Sequence, residues 1–143
     1  MLTILQREGR ISNAALADKL HLSPSPCLRR MRALEHDGVI TGYRAELDRK
    51  KLGLGLTVFV ELKVDGHSDR SAATISEALQ AAPEVVAAHI VSGSADFLLE
   101  VVVPDLAAYE RLMFETLLRL PNVGDVRSNF ALRTVKTHGP LAL

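Results

Sequence analysis

Between residues 54 and 65 every even position is leucine or valine, while from residue 57 the odd positions read Thr, Phe, Glu, Lys, Asp. Successive side chains of a strand point to opposite faces, so this run predicts a strand with one buried face. A one-faced strand needs neighbours in a sheet and helices on a single side of it. The residues downstream supply both. Asp69–Ala82 reads as a helix with Ile75 and Leu79 inward, closed by Pro83. Val85–Val91 reads as a second strand, Ser92-Gly93-Ser94-Ala95 as a turn, and Phe97–Val103 as a third strand. Asp105 is placed to cap a helix whose stripe is Leu106, Tyr109, Met113, Leu117 and Leu120. Val123–Thr137 reads as the last strand.

The order is βαββαβ, a ferredoxin-like unit. Helices cover only one face of such a sheet. The run Phe97-Leu98-Leu99-Glu100-Val101-Val102-Val103 is apolar on both faces. A second subunit over the open side accounts for this best. The alternative is an edge strand shielded by the chain's own tail.

Ahead of Gly53-Leu54-Gly55 the period is helical. Met1–Arg7 is short and apolar, and Gly9 stops it. Ser12 is a good N-cap for Asn13–Leu20, which carries Leu16, Ala17 and Leu20 on one face. After a turn at His21-Leu22, a third helix opens at Ser23-Pro24-Ser25-Pro26 and runs to Gly38. Proline is tolerated in a first helical turn, so either serine can be the cap. Val39–Ala45 is strand-like and suits a small wing. The whole is an α+β chain: a winged helix-turn-helix followed by a ferredoxin-like half.

Charge separates the same two halves. The chain is neutral overall, yet residues 1–53 hold ten Lys/Arg against six Asp/Glu, and residues 54–143 hold seven against eleven. A basic front on an acidic back suits a polyanion-binding module joined to something else. The single cysteine, Cys27, excludes an internal disulfide and a cysteine zinc cluster. The histidines at 21, 36, 67, 89 and 138 are scattered, so no metal site is expected. No apolar run is long enough for a bilayer and no leader is visible, which makes the cytoplasm the expected location.

The third helix carries the chemistry. At helical pitch Cys27, Leu28, Met31 and Leu34 share one side and should pack on the first two helices. The opposite side shows Ser25, Pro26, Arg29, Ala33 and His36, with Arg30 and Arg32 on its flanks. Arginine can hydrogen-bond guanine in two places at once, and small residues let a helix approach base edges. Ser23 and Ser25 at the helix start suit phosphates. The residues expected on DNA are Ser23, Ser25, Pro26, Arg29, Arg30 and Arg32.

Three runs make the resemblance specific: Gly9-Arg10-Ile11-Ser12-Asn13-Ala14-Ala15-Leu16-Ala17, then Leu22-Ser23-Pro24-Ser25-Pro26-Cys27-Leu28-Arg29-Arg30, then Leu34-Glu35 with Gly38-Val39-Ile40. Together they resemble the Lrp/AsnC family of bacterial and archaeal regulators, and the likeness extends over essentially the whole chain. It implies residues 1–48 as a DNA-binding domain, 49–55 as a linker, and 56–143 as a ligand-sensing and oligomerisation domain. It also implies homodimers built on the sheet face, octamers or discs of dimers, double-stranded DNA as partner, and an amino-acid effector bound between dimers, with no other cofactor. Val91-Ser92-Gly93-Ser94-Ala95-Asp96-Phe97 resembles the family's effector loop, which points to Ser92, Gly93, Asp96 and Phe97, with Ser128 as a further contact. Gly93 allows a tight turn whose N–H groups can meet a carboxylate, and Asp96 can hold an ammonium. Read without the family, the same residues are a hairpin turn. Family members usually begin further upstream of the position of Met1; whether this chain's true start does so too is not written in the residues.

Two other readings compete. The same two-part fold resembles decarboxylases of alternative haem synthesis, but no nucleophile–base pair or paired carboxylates stand out, and His89 is the only candidate of note. The other is an amino-acid sensor that binds no DNA. The effector's identity, the target genes and the sign of regulation are not written in the residues.

Overall fold

The computed structural model describes residues 1–66, 69–137 and 139–143, with the backbone alone for Asp69 and Arg70; His67, Ser68 and His138 lie outside the described residues. The chain folds into two compact units: Met1–Glu46 with Val135–Leu143, and Leu47–Thr134. By contact, residues 47–55 belong to the second unit, and the last nine residues belong to the first rather than to the sheet half.

The first unit holds three helices, α1 (Leu2–Leu5), α2 (Asn13–Lys19) and α3 (Pro24–His36). α1 is shorter than the apolar run Met1–Arg7 suggests. Ser12 caps α2 as expected, its Oγ accepting from Ala15 N at 3.2 Å. Ser12→Ala should cost about 1 kcal/mol, read as a lowered urea midpoint; an unchanged midpoint would count against a working cap. Ser23, not Ser25, takes the N-cap place of α3, with Pro24 at the first helical position. Gly38 at φ +70° turns the chain out of the helix. The core here is small: Leu16, Ala17 and Cys27 are fully buried, and Met1, Ile4, Leu5, Ile11, Leu20, Leu22 and Met31 pack around them. Leu28 and Leu34, expected with Cys27 and Met31, are half-buried and stay outside this cluster. The expected strand over Val39–Ala45 does not form; the segment makes no ladder, and Tyr43 Oη donates to Glu35 of α3 at 3.0 Å.

The second unit is β1 (Leu56–Val64), α4 (Asp69–Ala81), β2 (Val85–Ile90), β3 (Phe97–Val103), α5 (Leu106–Glu115), a 3₁₀ turn at Leu117–Arg119, and β4 (Val123–Phe130). The sheet order is β2-β3-β1-β4, antiparallel throughout, which is the ferredoxin-like arrangement. β1 pairs with β3 from Leu56↔Val103 to Leu62↔Phe97, and with β4 from Val58↔Phe130 to Leu62↔Val126. Its even residues Val58, Val60, Leu62 and Val64 meet Ile75 and Leu79 of α4 and Tyr109 and Leu112 of α5 in one core.

Three expectations need correction. Leu106 is 61% exposed, and Leu112 holds the buried place on α5 instead. The last strand stops at Phe130, not Thr137, leaving Leu132 and Val135 exposed. β3 is an interior strand, so shielding of an edge does not explain its apolar character. Its helix-free face carries Leu98, Glu100 and Val102, facing the same way as Phe59 and Glu61 of β1.

Candidate nucleic-acid interface and effector turn

α3 presents its chemistry on one side. Ser23, Ser25, Arg29, Arg30 and Arg32 are exposed, and Pro26 is half-buried. Residues 25, 29, 32 and 36 are spaced by four, three and four, so Ser25, Arg29, Arg32 and His36 form a single stripe. Cys27 anchors the opposite side with no exposed surface. Among the described residues, Arg29, Arg30 and Arg32 have no carboxylate within ion-pair distance. Three guanidinium groups are therefore left for an external anion. Ser23 has the backbone shape of a cap, but its hydroxyl makes no cap hydrogen bond. Arg30 stands apart from the stripe: with Met1, Leu20, Leu22, Ala33, Leu34 and Asp37 it lines an open groove of about 400 Å³. Behind the helix, burial and then the Glu35 carboxylate hold the Tyr43 phenol above its ordinary pKa.

The turn between β2 and β3 is built around Gly93, whose φ of +117° disfavours any side chain. Ser92, Gly93 and Ser94 are exposed. Asp96 fastens the turn to β1. Its Oδ2 accepts from Val64 N at 2.8 Å and lies 3.5 Å from Lys63 Nζ, its own N–H donates to Leu62 O at 2.9 Å, and its carbonyl accepts from Val91 N at 3.0 Å. The structure thus brings Ser92, Gly93 and Asp96 together. Phe97 directs its ring into the core, with 5% exposure, and does not line the turn. Ser128 is not brought to the turn. It lies on β4, opposite Val60, two strands and about 10 Å from β3. Its Oγ is 2.5 Å from the Tyr109 hydroxyl of α5. Burial raises the pKa of Tyr109, and the Ser128 hydrogen bond partly offsets that rise. Tyr109 also meets Phe130 edge to face at 5.5 Å.

Sequence reasoning missed the partners that tie these residues down. Arg49 Nη1 donates to Glu100 at 2.7 Å, and Tyr109 claims Ser128. Both pairs join residues far apart in the chain, and only the packing of a turn and a helix against the sheet reveals them. His89 is exposed on β2. Among the described residues no three His, Cys, Asp or Glu side chains gather as a metal set, and no helix is long and apolar enough to cross a membrane.

A helix-turn-helix with bare arginines on its second helix serves DNA, and a separate one-sided sheet joined to it makes a regulator with a ligand-binding half. Comparison with known proteins bears this out. Residues 1–41 match the family described as winged helix-turn-helix DNA-binding, and residues 57–141 match the Lrp/AsnC ligand binding domain. Over its whole length the chain is 42% identical to the leucine-responsive regulatory proteins of Klebsiella pneumoniae and Escherichia coli K12, spanning 87% of each. A transcriptional regulator from Neisseria meningitidis, solved in complex with L-Met, superimposes with TM-score 0.93 at 33% identity, over 99% of this chain and 91% of that one. An AsnC family regulator from Agrobacterium tumefaciens gives 0.93 at 39% identity, over 99% and 92%. The chain belongs to the Lrp/AsnC family of transcriptional regulators. These relatives are regulators and not enzymes, so the decarboxylase reading falls away.

Proposed function

We propose that this regulator binds double-stranded DNA as a homodimer through paired α3 helices, and that a free amino acid held at residues 92–96 alters that binding or the assembly of dimers. The observation that carries the reading is the stripe Ser25-Arg29-Arg32 on a capped helix-turn-helix, with no carboxylate paired to its arginines among the described residues. Ser23, Pro26 and Arg30 flank it as phosphate and backbone contacts. Ser92, Gly93 and Asp96 form the effector turn, supported from behind by Phe97; Ser128, already bonded to Tyr109, would contribute through its hydroxyl's remaining hydrogen-bonding capacity. The L-Met bound to the Neisseria relative supports an amino acid as the ligand class. Partly exposed Phe59 beside Leu98 and Glu100 on the helix-free face favours a second copy there. Residues 1–46 would read DNA, 47–134 would sense and pair, and octamers or discs of dimers would follow. The cytoplasm is where such a regulator meets both DNA and free amino acids.

Fluorescence anisotropy on the protein's own upstream region tests the first half. With six to ten phosphate contacts, affinity should fall about 10³- to 10⁵-fold between 50 and 200 mM salt. Absence of specific binding at low salt would sink the reading. A thermal-shift screen of the proteinogenic amino acids tests the second half. An effector at about a hundred times its Kd adds about 2.7 kcal/mol of stability. Asp96→Asn should weaken that shift, and a flat screen on the native chain would remove the effector assignment.

A further inference from the structure

Residues 48–54, at the start of the second unit, form a folded turn. Asp48 Oδ1 accepts from Lys50 N at 3.0 Å and Lys51 N at 3.2 Å, Leu52 N donates to Asp48 O, and Leu54 N donates to Arg49 O at 2.8 Å. Gly53, at φ +76°, closes the turn. From this turn Arg49 reaches the helix-free face of the sheet. Its Nη1 donates to Glu100 Oε1 at 2.7 Å and lies 3.4 Å from Thr57 Oγ1. The two side chains are 30% and 19% exposed, against 63% and 30% for the Arg127–Glu61 pair on the same face, so each member is better covered than its counterpart of like charge. A charge-assisted hydrogen bond in such partial burial is short and resists screening by salt.

Its position matters more than its strength. Glu100 lies on β3, the strand that begins at the effector turn, four residues beyond Asp96. Phe97 and Leu99 hold the other face of β3 in the core, so the strand is a stiff link between the turn and the Glu100 carboxylate. Arg49 is the third residue of the second unit, directly after the chain leaves Glu46 of the first.

We propose that the Arg49–Glu100 pair couples the effector turn to the DNA-binding unit, with Arg49 as the positioning residue. Occupancy of residues 92–96 biases whether the pair is made, and the pair sets how firmly the chain leading to the helix-turn-helix is held. This rests on the effector reading above.

The test uses the full-length protein with L-methionine and L-leucine as probes. Calorimetry measures amino-acid binding, and anisotropy measures DNA affinity with and without the amino acid. In the native chain the amino acid should change DNA affinity by a coupling factor of about 5- to 150-fold. Arg49→Gln and Glu100→Gln should bind the amino acid as the native chain does, yet bring that factor to within about twofold of one. The exchanged pair Arg49→Glu with Glu100→Arg should restore it, which also controls for folding. If Arg49→Gln keeps the native factor, the coupling proposal is overturned while the effector reading stands. If neither amino acid binds the native chain, the effector reading falls and the coupling with it.

Discussion

Arg29→Ala should weaken binding to the cognate upstream DNA by about 1–3 kcal/mol, roughly 5- to 150-fold, and relax the preference for one base pair in each half-site. Arg29 is central in the exposed stripe, with Ser25 one turn before it and Arg32 one turn after it. No carboxylate competes for its guanidinium among the described residues. Arg30→Ala makes the contrast. That side chain borders the groove with Leu20 and Leu34, off the stripe. Its loss should lower affinity evenly across sequences and flatten the slope of log K against log salt by about one. Anisotropy titrations on the native site and on single-base variants separate the two. Equal losses on every sequence for Arg29→Ala would move that residue from base to phosphate.

The second large effect is expected at Leu16. Among the described residues the first unit has only Leu16, Ala17 and Cys27 fully buried, whereas the second has a core of fourteen buried side chains. Removing a buried leucine costs about 2–5 kcal/mol, which is a large share of what so small a core can supply. Leu16→Ala should therefore abolish DNA binding at 37 °C through loss of the first unit. The βαββαβ unit should keep its circular dichroism and its amino-acid-induced thermal shift. A variant that still binds DNA within a few-fold of the native chain would show that the first unit draws stability from elsewhere. Loss of both activities together would show that the two units do not fold independently.

These contrasts explain what the sequence made legible. The alternation at residues 54–65 announced β1 because its two faces meet different surroundings, and Ile75 and Leu79 kept helical phase through α4. After Asp105, Tyr109, Met113, Leu117 and Leu120 meet the core as their spacing predicts, although the α-helix stops at Glu115 and Leu117 belongs to a 3₁₀ turn. Leu106, the first residue of the helix, stays exposed, and Leu112 takes a buried place that the stripe did not include. The residues after Phe130 look like strand by composition, but β1 has almost no ladder left to offer them: Ala131 N already reaches Thr57 O, near its start. The stripe on α3 was readable because it depends only on local spacing. The effector residues were readable only as a list. That Phe97 belongs to the core and that Ser128 meets Tyr109 depends on how the strands pair and how α5 packs on the sheet, which no local pattern carries.

The tail has one more consequence. Gln6 uses its side-chain amide to bind the Leu141 peptide at both ends, accepting from Leu141 N at 2.6 Å and donating to Leu141 O at 3.4 Å. The unit that carries α3 is thus written in two pieces of sequence whose outer ends are neighbours. A short Gly/Ser bridge from Leu143 to Met1, with the chain reopened between exposed Thr134 and Val135, gives a circular permutant in which the two units follow one another in series. Such a rewired regulator could then be cut between its units with every residue of each still attached to its own fold.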